Sequence, residues 1–437
     1  MTTRRDLLHG IALGVGASAL SAGVPRGARA DSDLDAVTRR LRADLERHAS
    51  FGDKFSAGPG DNATAQWVAD RLRTSGYRVE QSSFDAPFFV KRAARLACGG
   101  ASADVLPQAP VVATGARGVT GRLALLAGDG GDVGDVSGRI ALVVAPFARH
   151  AALFADRGIG KTVVDSARRG AAAIVIVTTG PSGDAVALNA PEEPFVPVPT
   201  AVLAPKVAEP FVTAARAATE ATLIVDGDAT HRPCANVVGR AVRGARWLGI
   251  STPRSGWFGC VAERGTGTAV FLELADWALG RFPDLSVFVM NTGGHEYFFA
   301  GSHRVISQGP PPADTLCWAH IGATLAARDA EERDGQWVML DRPDPQRSLM
   351  ASDAVRDAVT PAFSGLSGLE QAVAIRSQAG ELSTFTDRGY AKAFAVIGQH
   401  RWFHTPDDTL DCVDARLLAP VLRAHQHAIE SIVAGAV

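Results

Sequence analysis

The hydrophobic pattern of the first hundred residues predicts two helices followed by a strand. Apolar positions recur at helical spacing over 34–48 and again over 63–75, which predicts two amphipathic helices. The second helix is expected to end at Gly76, because glycine is typical of the residue just beyond a helix. Polar and apolar residues then alternate over 77–80, as in a β-strand.

The second half of the chain shows short apolar strands separated by helical stretches. The predicted strands cover 247–250, 285–290 and 394–397, and the predicted helices cover 267–279 and 415–434. This alternation predicts an α/β fold with a mixed, largely parallel sheet flanked by helices. In such sheets, functional residues are expected at the carboxyl ends of the strands.

The intervening region, from about residue 96 to 228, has a different pattern of apolar and polar residues. Short Val, Ala and Leu runs, such as 140–144 and 172–177, are punctuated by Gly, Pro and Asp. This pattern predicts a small β-rich domain with one or two helices. We therefore expect it to be an insert between 31–95 and 229–437, which together form the larger domain.

The first thirty residues have the organisation of an export signal. Arg4-Arg5 precedes an apolar stretch at 11–20 and a small-residue cleavage site, Ala28-Arg29-Ala30. These features predict twin-arginine export to the periplasm or medium, with a mature chain that begins near Asp31. An uncleaved anchor is the alternative, but the apolar stretch is shorter than the roughly 20 residues that a membrane span needs. No other segment is typical of a span.

Charge and cysteine content narrow the functional classes. The formal net charge is −2, without runs of like charge, so we expect no nucleic-acid partner and favour peptides or small molecules as substrates. Five cysteines without Cys-x-x-Cys spacing argue against a thiolate zinc site. They are interpreted as buried small residues, with a disulfide such as Cys260 with Cys317 left open.

Motifs after residue 235 resemble those of the family-28 metallopeptidases, which include zinc aminopeptidases, glutaminyl cyclases and inactive relatives. The most specific is the block Phe403-His404-Thr405-Pro406-Asp407-Asp408-Thr409. The others are Asn236-Val237-Val238-Gly239, Gly265-Thr266-Gly267, Gly294-His295-Glu296 and Gly301-Ser302. Segments 131–143 and 167–176 resemble the protease-associated domain that many secreted peptidases carry as an insert. The resemblance implies a zinc aminopeptidase-like fold that carries such an insert.

The metal centre implied by this resemblance is altered. Thr252 stands where the family has a metal-binding histidine, and His320 replaces a later aspartate ligand. Glu263 occupies the place of the bridging aspartate, while Glu296 and His404 match family ligands. Glu263, Glu296 and His404 therefore imply a single zinc with an open position for water, and His320 is a further candidate ligand.

Four other residues are candidates near this centre. His295 replaces the family's general base and is expected to carry protons, although it could instead be a metal ligand or a hydrogen-bonded relic. Glu381, Arg254 and Trp402 are candidates for substrate binding. The alternatives are a solvated loop carboxylate for Glu381 and a salt bridge for Arg254.

The sequence therefore predicts an exported hydrolase of amide bonds that uses one zinc, with His295 as proton carrier. The missing ligand at Thr252 leaves two alternatives open. One is an inactive binding protein on the same scaffold, which would hold no metal. The other is a non-hydrolytic activity of the altered site, such as acyl transfer, cyclisation or elimination.

Overall fold

The computed structural model describes residues 26–147, 157–375 and 380–435. Its helices of more than one turn are α1 Arg26–Ser50, α2 Pro59–Ser75, α3 Arg157–Arg168, α4 Glu209–Arg216, α5 Thr266–Arg281, α6 Ala300–Val305, α7 Arg356–Val359, α8 Leu382–Asp387 and α9 Ala415–Ala434. The predicted twin-arginine motif and apolar stretch lie outside the described residues. Within them, no helix is both long and apolar enough to cross a membrane.

The strands form one continuous sheet and a separate hairpin. They are β1 Arg78–Cys98, β2 Ala101–Asp104, β3 Leu106–Pro107, β4 Val119–Ala127, β5 Ile140–Phe147, β6 Ala173–Thr179, β7 Thr200–Leu203, β8 Glu220–Ala241, β9 Trp247–Pro253, β10 Ser286–Thr292, β11 Thr315–Ile321, β12 Arg328–Arg333, β13 Gln336–Pro343, β14 Arg347–Ala351, β15 Ala372–Ala374 and β16 Ala393–Gly398. Strands β12 and β13 form the hairpin.

The centre of the larger sheet is parallel. β9 pairs in parallel with both β10 and β11, and β11 pairs in parallel with β16. The flanking strands β8 and β14 are antiparallel to their neighbours β10 and β16. β10 and β11 are buried along their whole length, which explains their nearly unbroken apolar sequence. The prediction of a mixed, largely parallel α/β sheet is confirmed.

Helices cover both faces of this sheet. α1, α2, α5 and α9 bury Leu45, Leu72, Val270 and Leu422 in one large apolar core with β9 to β11. On the opposite face, α8 contributes Phe385 to a second apolar cluster. The layers hold the ends of the central strands in fixed positions.

Two long strands connect the central sheet to the region of residues 101–225. β1 and β8 pair in antiparallel fashion from Arg78 with Arg240 to Cys98 with Ala221. Beyond them, β4 to β7 form a parallel set with apolar clusters of its own. The identification of this region as a protease-associated insert stays a prediction.

The predicted elements are all present, and most are longer than their patterns indicated. The strand expected at 77–80 extends to Cys98, because it stays paired with β8 along its whole length. Its extension was not predicted, because many of the later residues are exposed on the ribbon and do not keep the alternation that marks a half-buried strand. The five cysteines are free and buried, so the disulfide left open between Cys260 and Cys317 is not formed.

Arg254 is part of the framework of the larger domain. It is fully buried, and its Nε donates to Asp61 Oδ1 at 2.8 Å. Its Nη1 donates to Asn291 Oδ1 at 3.0 Å and its Nη2 to the Ala235 carbonyl at 2.6 Å. Arg254 therefore connects the end of β9 to α2, β10 and β8. This geometry favours the salt-bridge alternative over substrate binding.

We expect Arg254→Leu to lower the free energy of unfolding by about 3–5 kcal/mol, because it leaves the Asp61 carboxylate buried without its cation. Urea unfolding followed by circular dichroism measures the change.

Arg281→Leu is the matched control. Arg281 pairs with Glu430 at a half-exposed surface position, so its loss should change the free energy of unfolding by at most about 1 kcal/mol. Equal effects of the two substitutions would contradict the framework role of Arg254.

Candidate active site

The residues expected to form the centre converge at the carboxyl ends of β9, β10 and β11. Glu263 lies on a π-helical turn, Val261–Gly265, which follows β9 and leads into α5. Glu296 follows β10, and His320 is near the end of β11. His404 lies in the loop after β16 and contacts Glu263. Single-turn π-helices of this kind are frequent at functional sites.

A glycine pair shapes the turn that presents His295 and Glu296. Gly294 has a φ of +71°, which an L side chain rarely adopts. A Cβ at Gly293 would lie 2.4 Å from Cys234 Sγ, so only glycine fits against β8. The main-chain N–H of His295 then donates to Ser255 Oγ at 3.1 Å.

A guanidinium group lies between the two predicted carboxylate ligands. Nη2 of Arg264 is 2.8 Å from Glu263 Oε1 and 3.9 Å from Glu296 Oε1. Its Nε donates to the Ser255 carbonyl at 2.8 Å. Glu296 Oε2 accepts hydrogen bonds from the hydroxyls of Ser56 at 2.6 Å and Ser255 at 2.7 Å. All of these side chains are buried.

Both ring nitrogens of His404 lie at hydrogen-bond distance from an oxygen atom. Nδ1 is 2.9 Å from the Ala187 carbonyl, and Nε2 is 2.9 Å from Glu263 Oε1. Because a carbonyl can only accept, Nδ1 is the donor to Ala187, and Nε2 is the nitrogen that faces the carboxylate. Burial acts to raise the pKa of Glu263, but the charges of Arg264 and His404 outweigh it and lower that pKa to about 2.

These contacts decide whether the residues fit zinc. Glu263 Oε2 and Glu296 Oε1 are buried without hydrogen-bond partners among the described residues, and carboxylate oxygens are zinc ligands. However, the guanidinium of Arg264 already lies between the two carboxylates and would repel a dication. In the described ranges, no three His, Cys, Asp or Glu side chains are arranged to hold an ion. The predicted single-zinc site does not fit these residues.

His295 has the environment expected of a proton carrier. Its Nδ1 is 2.9 Å from Glu381 Oε2, and Glu381 Oε1 accepts from the Thr292 hydroxyl at 3.0 Å. Burial acts to raise the pKa of Glu381, but the hydrogen bond and charge of His295 outweigh it and lower it to about 2. The His295 side chain retains 14% exposure. Glu381, predicted to bind substrate or to lie in a solvated loop, instead orients a histidine.

His320 and Thr252 belong to the hydrogen bonding of the sheet. Trp318 Nε1 donates to Ser251 Oγ at 2.9 Å, and the same hydroxyl forms a hydrogen bond with His320 Nδ1, also at 2.9 Å. Burial lowers the pKa of His320 to about 4. Thr252, where the family has its histidine, donates to the Ile321 carbonyl at 2.7 Å. The described contacts do not join His320 to Glu263, Glu296 or His404.

Trp402 and Asp408 support the loops of the site. Trp402 packs with Ala262 and Cys412 in a small apolar cluster and is 8% exposed, which favours a packing role over contact with a ligand. Asp408 accepts from the main-chain N–H groups of Ala262 at 2.7 Å and Glu263 at 3.1 Å. Asp408 thereby braces the π-helical turn.

A segment from the predicted insert covers the centre. The Ala187 N–H donates to the His404 carbonyl at 3.0 Å, and the Ala190 N–H donates to the Glu296 carbonyl at 3.1 Å. Trp257 Nε1 also donates to Asn189 Oδ1 at 2.9 Å. Residues 186–190 form this cap. Sequence reasoning missed the cap, because nothing in this segment indicates contacts with residues far away in the sequence. Arg264 was missed too, although its signal was available: an arginine beside Glu263 in a turn otherwise made of small residues.

Comparisons with known proteins show the fold. Three solved structures are similar: an aminopeptidase from Aneurinibacillus sp. strain AM-1 (TM-score 0.67, 17% identity, 90% of this chain and 93% of that chain covered), a zinc aminopeptidase from Bacillus subtilis (0.66, 15%, 91% and 95%), and a peptidase M28 precursor from Shewanella amazonensis SB2B (0.68, 16%, 92% and 96%). No family model and no curated protein match the chain. The chain therefore has the fold of the zinc aminopeptidases.

We expect the purified protein, after incubation with zinc and dialysis, to retain far less than one zinc per chain and to show no change in melting temperature with zinc. Arg264→Ala removes the internal cation, so it should unfold at a lower temperature and be stabilised by zinc through the freed carboxylates. Plasma mass spectrometry and thermal unfolding provide the two measurements.

Arg281→Ala, at the surface, should behave like the parent in both measurements. Stoichiometric zinc in the parent protein would show that the guanidinium does not replace the ion.

Proposed function

We propose that this chain is an exported hydrolase of amide bonds in peptides or small molecules, with His295 as its proton carrier and Arg264 in place of a metal. The observation that carries the proposal is the pair of His295 and Glu381. A buried carboxylate oriented toward a partly exposed histidine is the arrangement by which a general base is held in one tautomer and direction. The fold shared with aminopeptidases supports the same reaction class.

Each residue has a distinct role in this mechanism. Glu381 accepts from Nδ1 of His295, which leaves Nε2 to take a proton from the attacking water. Nε2 then gives this proton to the amide nitrogen as the C–N bond breaks, so that the amine leaves and the carboxylic acid remains. Arg264 Nη1 is buried without a hydrogen-bond partner among the described residues. We assign this donor to the negative charge that develops on the substrate carbonyl oxygen. No step passes through zinc.

The same proposal assigns a role to the first thirty residues and to the region of 96–228. The twin-arginine signal in residues 1–30 delivers the protein to the periplasm or medium. The region of 96–228 is a protease-associated insert, and its residues 186–190 must move aside for a substrate to reach Arg264. Support for this step comes from the hydrogen bonds of the cap, which join it to both His404 and Glu296.

The test replaces the proton carrier and its orienting group. His295→Gln keeps polarity but cannot carry a proton, so turnover of a responsive amide should fall by about 10²- to 10⁴-fold. Glu381→Gln should lower turnover by up to about 10⁴-fold, the loss found when the carboxylate that orients a general-base histidine becomes an amide. Steady-state kinetics over a pH series measures both effects.

His303→Gln is the matched control, since His303 is exposed on α6 and makes no hydrogen bond to Glu381 among the described contacts. Turnover that survives His295→Gln would overturn the role of His295. A parent protein that hydrolyses nothing in a broad amide panel would overturn the hydrolase itself.

A binding protein without catalysis is the second candidate, and the cap favours it. Residues 186–188 are buried, and the cap closes the polar centre. In that case peptides should bind the parent and His295→Gln equally, without product. Calorimetry combined with product analysis by mass spectrometry separates the two candidates.

A further inference from the structure

A partly open apolar cavity of about 290 Å³ lies beside the polar centre. Its aromatic wall comes from separate parts of the chain, namely Phe55, Phe88, Phe89, Trp257, Phe258 and Tyr297. Ligand sites are concave and mostly apolar, with few polar groups. This cavity has that character and is not used by the proposed mechanism.

The polar groups on its walls are largely satisfied by the protein. Gln108 donates from Nε2 to the carbonyls of Ala109 at 2.6 Å and Leu188 at 3.1 Å. Tyr297 donates its hydroxyl to the Pro87 carbonyl at 2.9 Å. The charged lining residues Asp53 and Lys91 are exposed, so they lie toward solvent. The interior is therefore suited to an uncharged group.

Ser56 connects the cavity with the polar centre. It lines the cavity, is buried, and donates its hydroxyl to Glu296 Oε2. A hydroxyl that donates in one direction can accept in another, so Ser56 Oγ can accept an N–H from a ligand. The ligand is thus expected to carry an amide N–H next to its apolar group.

The cap forms part of the same cavity. Ala187 and Leu188 line it, while the Ala187 main chain holds His404 on the other side. A group that enters the cavity therefore contacts the segment that covers the centre. The cap therefore contacts a ligand in the cavity and also controls access to Arg264.

We propose that this cavity holds the apolar side chain of the substrate, so that the protein selects amides that carry an aromatic or branched aliphatic group. The assignment rests on the proposed function. The volume of about 290 Å³ exceeds the roughly 150 Å³ of a cavity that is known to bind benzene. A benzyl group fits this space.

The test measures binding separately from turnover, in the His295→Gln background. N-acetyl-phenylalaninamide should bind at least about 10-fold more tightly than N-acetylglycinamide, because its benzyl group leaves water for an apolar site. Isothermal titration calorimetry gives both affinities. Val111→Trp places an indole against the cavity from a lining position and should abolish the difference.

Two further variants keep the result interpretable. Val207→Trp adds the same side chain at an exposed position outside the cavity and should leave the preference intact. Phe89→Ala enlarges the cavity, so this variant should bind the 2-naphthylalanine analogue more tightly than the phenylalanine compound. If Val111→Trp does not fold, this change in preference tests whether the cavity holds the side chain.

Equal affinities for the two amides, or a preference that survives Val111→Trp in folded protein, would overturn the assignment. Selective binding without hydrolysis by the parent would instead leave the cavity assignment standing and remove the hydrolase proposal.

Discussion

The arrangement of the centre depends on the ion pairs of one guanidinium group. Two carboxylates buried side by side would destabilise this fold strongly unless a cation accompanied them. Arg264 supplies that cation from the turn that carries Glu263, and His404 contacts the same carboxylate. A cation for the two carboxylates is thus built into the chain. The chain has the fold of the zinc aminopeptidases, and in this chain an internal positive charge lies between the two carboxylates.

The proposed mechanism separates the two tasks that a metal combines. An ion in an open site both polarises a carbonyl and activates water. In the proposed mechanism, the positive charge belongs to Arg264, while the capacity to accept a proton belongs to His295 on a different loop. Glu381 fixes His295 independently of Arg264, through Thr292. The two functions are accordingly positioned by different strands of the same sheet.

The fold was predictable where local patterns reflect burial. β10 and β11 are apolar because both faces are covered, and α9 is amphipathic because it lies on the sheet. The convergence of Glu263, Glu296 and His404 followed from motif order. Other contacts of this region could not be predicted. The pairs Arg254 with Asp61 and Ala187 with His404 join positions that are far apart in sequence. The role of Glu381 likewise became evident only from its 2.9 Å contact with His295.

The paired strands β1 and β8 have a mechanical consequence. A two-stranded ribbon of this length resists in-plane bending, since every cross-strand hydrogen bond holds the register. That register is interrupted between Lys91 and Ala93, and such irregularities bend and twist a strand locally. The interruption is thus the point at which the ribbon bends. Because Lys91 also borders the apolar cavity, this bend lies at the edge of the cavity.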